Sequence, residues 1–443
     1  MGRGWRAGVR VADACSDADG TLRGNKDGRA LAFGSPEPGA MNTVPARPPR
    51  LLALAEAEIP SAVLGVHAVA GFLAAMGHCE FRIGTSVAAR AADLAWCDAL
   101  ILVRGAAPAE VRLLREAQRL GRRVATYLDD DLENVPAGAR SAYFFRSAVV
   151  RRGVAEIVRA ADAVLVCNPL LGDELAHRHG ISPTVLLQPA PSPRLDFLRA
   201  PGATRGTAAP RGTPPRRVRI GFLGSVDHAA FIDELLGDVL RQLARERAGT
   251  IDFVFCGAKP ELVTALGATW HPFDPDFAHW RATAAALDLD IGLAPLPESP
   301  FHRFKYWNKF LEYGSLGIAG IYSEGSPNAQ IVRDGESGLV RPNKPEAWHE
   351  ALCTLLDDPS LRQRLGATAR AEVEGRFAPA ALESAWLAAL AALLAHRAAP
   401  VEAAQVRLAT GRVRHLRDRL AVYGPLRFAE RLVGRLSGRL RPS

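Results

Sequence analysis

The stretch Pro300–Ser326, PFHRFKYWNKFLEYGSLGIAGIYSEGS, decides how the rest of the chain is read. Its second half is an apolar run rich in Gly and Ile, the pattern of a buried strand leading into a turn. Its first half sets Arg303, Lys305 and Lys309 among Tyr306, Trp307 and Phe310, with Glu312 three residues behind Lys309. If the segment is helical, Lys305, Lys309 and Glu312 share a face and converge on one charge cluster. Such a cluster suits a ligand with a diphosphate for the cations and vicinal hydroxyls for the carboxylate. A helix-surface ion pair, worth only tenths of a kcal/mol, gives the same spacing, and the rings of Trp307, Phe310 and Tyr313 suit packing better than stacking.

Working outward, short apolar runs alternate with amphipathic segments on both sides. LLALAEA, ALILVRG, RVATYLDDD, AVLVCNP and TVLLQPA read as buried strands, with helical patterns such as PAEVRLLREAQRLG between them. After the Pro- and Gly-dense stretch 201–217 the alternation restarts with VRIGFLGS, DFVFCGA, ATWHPF, LDIGLAPL, IAGIYSE and SGLVRP. The expected organisation is an N-terminal extension (1–49), a Rossmann-like domain (50–200), a linker (201–217), a second Rossmann-like domain (218–378), a closing helix (379–399) and a basic tail (400–443). The fold class is α/β: two doubly wound parallel sheets facing each other across a cleft.

Ligands of such sheets sit beyond the carboxyl ends of the strands, so the residues there are the candidates. In the first domain they are Arg104 and the run Asp129, Asp130, Asp131 and Glu133, as acceptor-side base or hydroxyl anchor, or equally a solvated turn and helix cap. In the second they are Gly224, Ser225, Asp227 and His228, then Gly257 and Lys259, then Glu298, then Glu324, Gly325 and Ser326. Glycine turns that open onto a helix offer backbone N–H groups and the positive end of the helix dipole to an anion.

The formal charge of +8 resembles a nucleic-acid signal until it is located. From Pro400 onward ten arginines stand against three acids, a net of +7, leaving about +1 for the other 399 residues. A nearly neutral body argues against a nucleic-acid partner. In the tail, Arg427, Arg431, Arg435 and Arg439 recur every four residues beside Phe428, Leu432, Leu436 and Leu440, after an earlier pattern of Val413, Leu416, Leu420 and Tyr423. A basic stripe beside an apolar one fits a helix on an anionic membrane surface, or one docked on the protein's own body. The six cysteines form no C-x-x-C pair and read as reduced thiols of a cytoplasmic protein, in which peripheral attachment at the inner membrane face is compatible with the tail. The uncharged run Ile59–Gly77 is barely long enough to span a bilayer and reads better as a buried helix.

From about Leu51 to Phe377 the chain resembles nucleotide-sugar-dependent glycosyltransferases of the GT-B fold, in the group 1 (family 4) class and its bacterial surface-glycan branch. The likeness rests on FHRFKYWNKFLEYGSLGIAGIYSEGS, the following NAQIVRDGESGLV and the helix LDDPSLRQRLGATAR. It implies that Glu312 holds the donor ribose, that Lys309 and Lys305 lie near the diphosphate, and that Gly224 and Ser225 form the phosphate-facing loop. It further implies retention at the anomeric carbon, no required metal or cofactor, and a glycan, lipid-linked or protein acceptor. Two positions depart from the family pattern: Phe304 stands where the first Glu is usual, and Ser225 where an Arg often follows the loop glycine. The first keeps open a second reading, a catalytically inactive GT-B domain used for binding or assembly.

Overall fold

The computed structural model describes residues 47–191, 216–408, 414 and 416–425, apart from Glu58, Arg140 and Pro275. Most of the extension 1–49 and of the linker 201–217, and all of the basic stripe Arg427–Arg439, lie outside the described residues.

Two six-stranded parallel sheets carry the chain. The first has the order β2-β1-β3-β4-β5-β6, from β1 (Arg50–Ala55), β2 (Glu80–Thr85), β3 (Ala99–Val103), β4 (Arg123–Leu128), β5 (Ala163–Val166) and β6 (Thr184–Val185). The second has the order β12-β11-β10-β7-β8-β9, from β7 (Val218–Gly224), β8 (Ile251–Gly257), β9 (Thr269–Pro272), β10 (Ile291–Ala294), β11 (Ala319–Ser323) and β12 (Leu339–Arg341). Central strands such as Leu51–Ala55 and Ala99–Val103 are buried on both faces, which is why they read as unbroken apolar runs.

The linking helices start and stop where their sequence says. Asn168 caps the helix Pro169–His179, its Oδ1 accepting from the Leu170 N–H at 2.8 Å, and Gly180 ends that helix in the left-handed region. The run from Ile59 does form a largely buried helix, with one π turn at Val63–His67. Among the described residues no helix is long and apolar enough to cross a membrane.

Three expectations need correction. TVLLQPA is a strand only at Thr184–Val185, because the backbone then leaves the sheet: the carbonyls of Leu187 and Gln188 accept from Trp386 and Tyr306 instead. The segment 300–316 is two helices, Pro300–Arg303 and Asn308–Leu316, so Lys305 and Lys309 share no helical face. Of the pattern Val413, Leu416, Leu420 and Tyr423, Val413 lies outside the described residues and the rest is not one apolar face: both leucines point outward, 45% and 43% exposed, whereas Val422 and Tyr423 pack on the first domain.

After the second sheet the chain returns to the first. Trp386, fully buried in the helix Pro379–Ala389, donates its indole N–H to the Leu187 carbonyl at 2.8 Å and meets the Phe72 ring edge-on. Beyond that helix a strap runs along the helix Pro108–Arg119. The Ala398 N–H binds Asp98 at 3.0 Å near the start of β3. Arg119 then donates to the Gln405 carbonyl at 2.8 Å, the Arg407 N–H to Glu116, and Arg112 to Asp418. The strap ends with Tyr423 against Tyr143 and Phe144, at the carboxyl end of the first sheet.

Candidate functional site

The carboxyl ends of the two sheets meet across one cleft. On the second sheet, β7 ends at Gly224 and β8 at Gly257, and the two glycines have to approach closely. A Cβ on Gly257, whose φ is +83°, would fall 1.9 Å from the Gly224 carbonyl oxygen. Lys309, in the first turn of the helix Asn308–Leu316, lays its ammonium against this rim. A Cβ on Gly224 would stand 3.0 Å from Lys309 Nζ. The same ammonium lies 5.2 Å from the Phe222 ring centroid and 2.5 Å from Glu312 Oε2. Burial raises the Glu312 carboxyl above its ordinary value in spite of Lys309.

His228 hydrogen-bonds Ser225 through Nδ1 and Oγ at 3.1 Å. Burial first, then the fields of Lys309 and Lys305, push its pKa down to about 3, so the ring is neutral at physiological pH. His302 is held by Ser299, packs edge-on to Phe231 at 5.0 Å, and is lowered to about 4 by burial and Lys305.

Lys305 sits in the break between the two helices. Its backbone carbonyl accepts from the Asn168 side chain at 2.8 Å, so the residue that caps Pro169–His179 also fixes this loop. Its Nζ crosses to the first sheet and meets Asp130 Oδ1 at 3.0 Å. There Arg104 follows β3 in the left-handed region, φ +55°, a strained conformation for a residue with a Cβ. Its guanidinium reaches Ser61 Oγ at 3.1 Å, Asp129 at 3.6 Å and Asp130 at 3.3 Å. The two carboxyls separate in character. Burial raises Asp129 more than Arg104 lowers it, whereas at Asp130 Lys305 and Arg104 together overcome burial and hold it low. Two adjacent acids pushed apart in this way suit different proton tasks.

The rest of the predicted set disperses. Asp131 turns away into the first domain, where it is 1% exposed and bonds Arg178 and Asn134. Lys259 is exposed and lies over the Trp270 ring at 4.6 Å, at the sheet edge. Asp227 is exposed in the short turn Val226–His228. Ser326 is buried beside the β11 end, and its Oγ finds no hydrogen-bond partner among the described residues. Glu298 and Gly325 face Asn134, Glu174 and Arg178 across a cleft of about 470 Å³, of the volume common for small-molecule sites. Phe304 lines the same cleft, while Lys305, Lys309 and Glu312 do not; they are packed on their partners beside it. Sequence reading missed His302, Ser61 and Asn168. Only His302 carried a usable signal, lying inside the quoted cationic segment.

No protein-family model matches the chain. In structure it is similar to the glycosyltransferase from Rickettsia africae ESF-5, with a TM-score of 0.53 at 13% identity over 79% of this chain and 100% of that one. It is also similar to Anabaena Alr3699/HepE in complex with UDP and glucose, with a TM-score of 0.52 at 14% identity over 77% and 99% of the two chains. The fold is GT-B. In sequence the chain is 26% identical over 242 residues to the D-inositol 3-phosphate glycosyltransferase of Streptomyces bingchenggensis (strain BCW-1), covering 50% of this chain. The GT-B chain spans about half the length of the curated relatives it matches.

Proposed function

We propose that this protein is a glycosyltransferase that moves a sugar from a nucleoside-diphosphate donor on the second sheet to an acceptor on the first. The observation that carries the reading is Lys309, whose ammonium touches both the Gly224 rim and Glu312. One cation beside backbone N–H groups and one carboxylate beside it form a receptor for a diphosphate and a ribose diol. Donor binding must part Lys309 from Glu312, which turns a resting ion pair into two ligand contacts.

In the reaction the anomeric C–O bond to the diphosphate breaks and a bond to the acceptor oxygen forms, with retention and without a metal ion. Negative charge grows on the departing diphosphate, where Lys309, Lys305 and the rim N–H groups stabilise it. Asp129, raised by burial, is the candidate to accept the hydroxyl proton, and Arg104 and Asp130 orient the acceptor. Closure of the sheets excludes water. The inactive reading rests on Phe304; the cation and carboxylate of Lys309 and Glu312 beside the Gly224 rim support the enzyme instead.

The acceptor is proposed to be lipid-linked and to lie at an anionic membrane. Residues 416–425 are anchored at the first-sheet side of the cleft through Asp418, Val422 and Tyr423, and present Leu416, Arg417 and Leu420 outward. That is the mixed face of an interfacial helix. Unchanged liposome co-sedimentation after deletion of 401–443 would remove this part.

The experiment is a thermal-shift panel of UDP, GDP, ADP, CMP and dTDP and their sugars on wild type and Lys309→Ala, followed by donor turnover. One nucleotide that stabilises only the wild type by a few degrees, with turnover of its sugar, supports the enzyme. Binding without turnover favours the inactive domain, and no shift with any nucleotide rejects the donor site.

A further inference from the structure

At the opposite end of the second sheet from the cleft, two helices bring together three side chains that the proposed reaction does not use. Glu246 is the last residue of the helix Ala229–Glu246, which starts beside the Gly224 rim and carries the chain some 27 Å away from it at about 1.5 Å per residue. His349 and Cys353 lie four apart on the helix Pro345–Asp357, hence on one face. That face packs against the first helix, and the ligand atoms of the three residues all lie within 4.8 Å of one another.

The arrangement has the chemistry of a transition-metal site. His349 Nε2 is 2.6 Å from Glu246 Oε2, and Cys353 Sγ is 3.9 Å from each ring nitrogen. Gln242 donates to the other oxygen, Glu246 Oε1, at 2.7 Å, which orients the carboxylate as outer-sphere partners of metal ligands do. Zinc bonds of about 2.0–2.1 Å to nitrogen and about 2.3 Å to sulfur place tetrahedral ligands roughly 3.3–3.7 Å apart. The sulfur–nitrogen spacing is already close to that. The nitrogen–oxygen spacing has to open, and it can, because the Glu246 side chain is 41% exposed. Arg247, which pairs with Asp357 and also hydrogen-bonds the thiol, must release the sulfur.

We infer that Glu246, His349 and Cys353 bind a zinc-class divalent cation, with water as fourth ligand. One thiolate, one imidazole and one carboxylate select zinc or cobalt over magnesium or calcium, which prefer all-oxygen shells. Its distance from the cleft makes the metal a staple between the helices that follow β7 and β12.

The test uses the full chain, stripped with a chelator and titrated with Co²⁺. The expected result is a thiolate-to-cobalt charge-transfer band that saturates at one equivalent and disappears when Zn²⁺ is added. The band should vanish in Cys353→Ser. The surface variant Glu246→Gln, which leaves the core untouched, should bind at least about tenfold more weakly. Zn²⁺ should raise the melting temperature of the wild type and not of Cys353→Ser. No thiolate band in the wild type, or a band that persists unchanged in Cys353→Ser, overturns the assignment.

Discussion

Lys305 Nζ lies 3.0 Å from Asp130 Oδ1, so a loop of the second domain is salt-linked to the end of β4 in the first. Removing one partner of a buried pair strands the other, at a cost of about 3–5 kcal/mol, reduced here because the Lys305 side chain is 29% exposed. Lys305→Met should therefore cost about 1–3 kcal/mol of stability. Asp130→Asn should cost less when added to it than alone. Chemical denaturation of the four variants measures the coupling, and strictly additive losses would show that the contact does not hold the domains together.

Lys309 and Glu312 should separate in ligand binding although they touch in the free protein. A charge-assisted hydrogen bond is worth about 1.5–3 kcal/mol, so Lys309→Ala should weaken a nucleoside diphosphate and inorganic pyrophosphate alike by about ten- to a hundredfold. Glu312→Ala should weaken the nucleoside diphosphate and leave pyrophosphate unchanged. Titration calorimetry with both ligands distinguishes this from equal effects, which would make the pair a purely structural contact. Turnover should be nearly abolished in Lys309→Ala.

Glu110 predicts a pH dependence unrelated to the cleft. Burial pushes its carboxyl up to about 7, against hydrogen bonds from Ser86 Oγ and the Ala106 and Ala107 N–H groups. The folded value exceeds the unfolded one, so between about pH 4.5 and 7 the native state binds the extra proton. Stability contributed by this group is full below that window and is lost as pH rises through it, by an order of 3 kcal/mol. Thermal melts of Glu110→Gln should be flatter between pH 5 and 8 than those of the wild type. Identical pH profiles would exclude Glu110 as the source.

Much of this architecture was legible because a parallel sheet writes a plain pattern. Strands buried on both faces, such as Leu51–Ala55 and Ile251–Gly257, stand out as apolar runs, and the residue after each run is a candidate by position alone. β2 was missed for the converse reason. As an edge strand it carries Arg82, Ile83 and Gly84 in the open, and EFRIGT has no apolar period. In the site, Lys309 with Glu312 could be read from spacing because both belong to one helix. Lys305 with Asp130 could not: 175 residues separate them, and the helix break at 304–307 that turns Lys305 across the cleft has no proline or glycine to announce it. The divergence of Asp131 from Asp130 depends on Arg178, a partner no local pattern names.

Trp386 should be worth more to the first domain than to the helix that carries it. It is fully buried, and truncation of a buried aromatic costs about 3–5 kcal/mol. Trp386→Ala should lower the melting temperature by several degrees and speed proteolysis near Leu187. A variant that melts like the wild type would show that the returning helix is dispensable.

That return has a consequence for synthesis. The first domain shares its apolar cluster with Leu382, Trp386, Leu390 and Leu393, and the strap adds Val401, Val406 and Leu408 to the packing beside β3. When the ribosome has released residues 50–190, all six strands of the first sheet exist, but the side chains that cover part of it have not been made. The amino-terminal half must wait, with Phe72 and Leu187 uncovered, while the whole second domain is translated. A nascent chain that stalls before residue 380 therefore exposes a sticky half-core, and this period is when it most needs a chaperone.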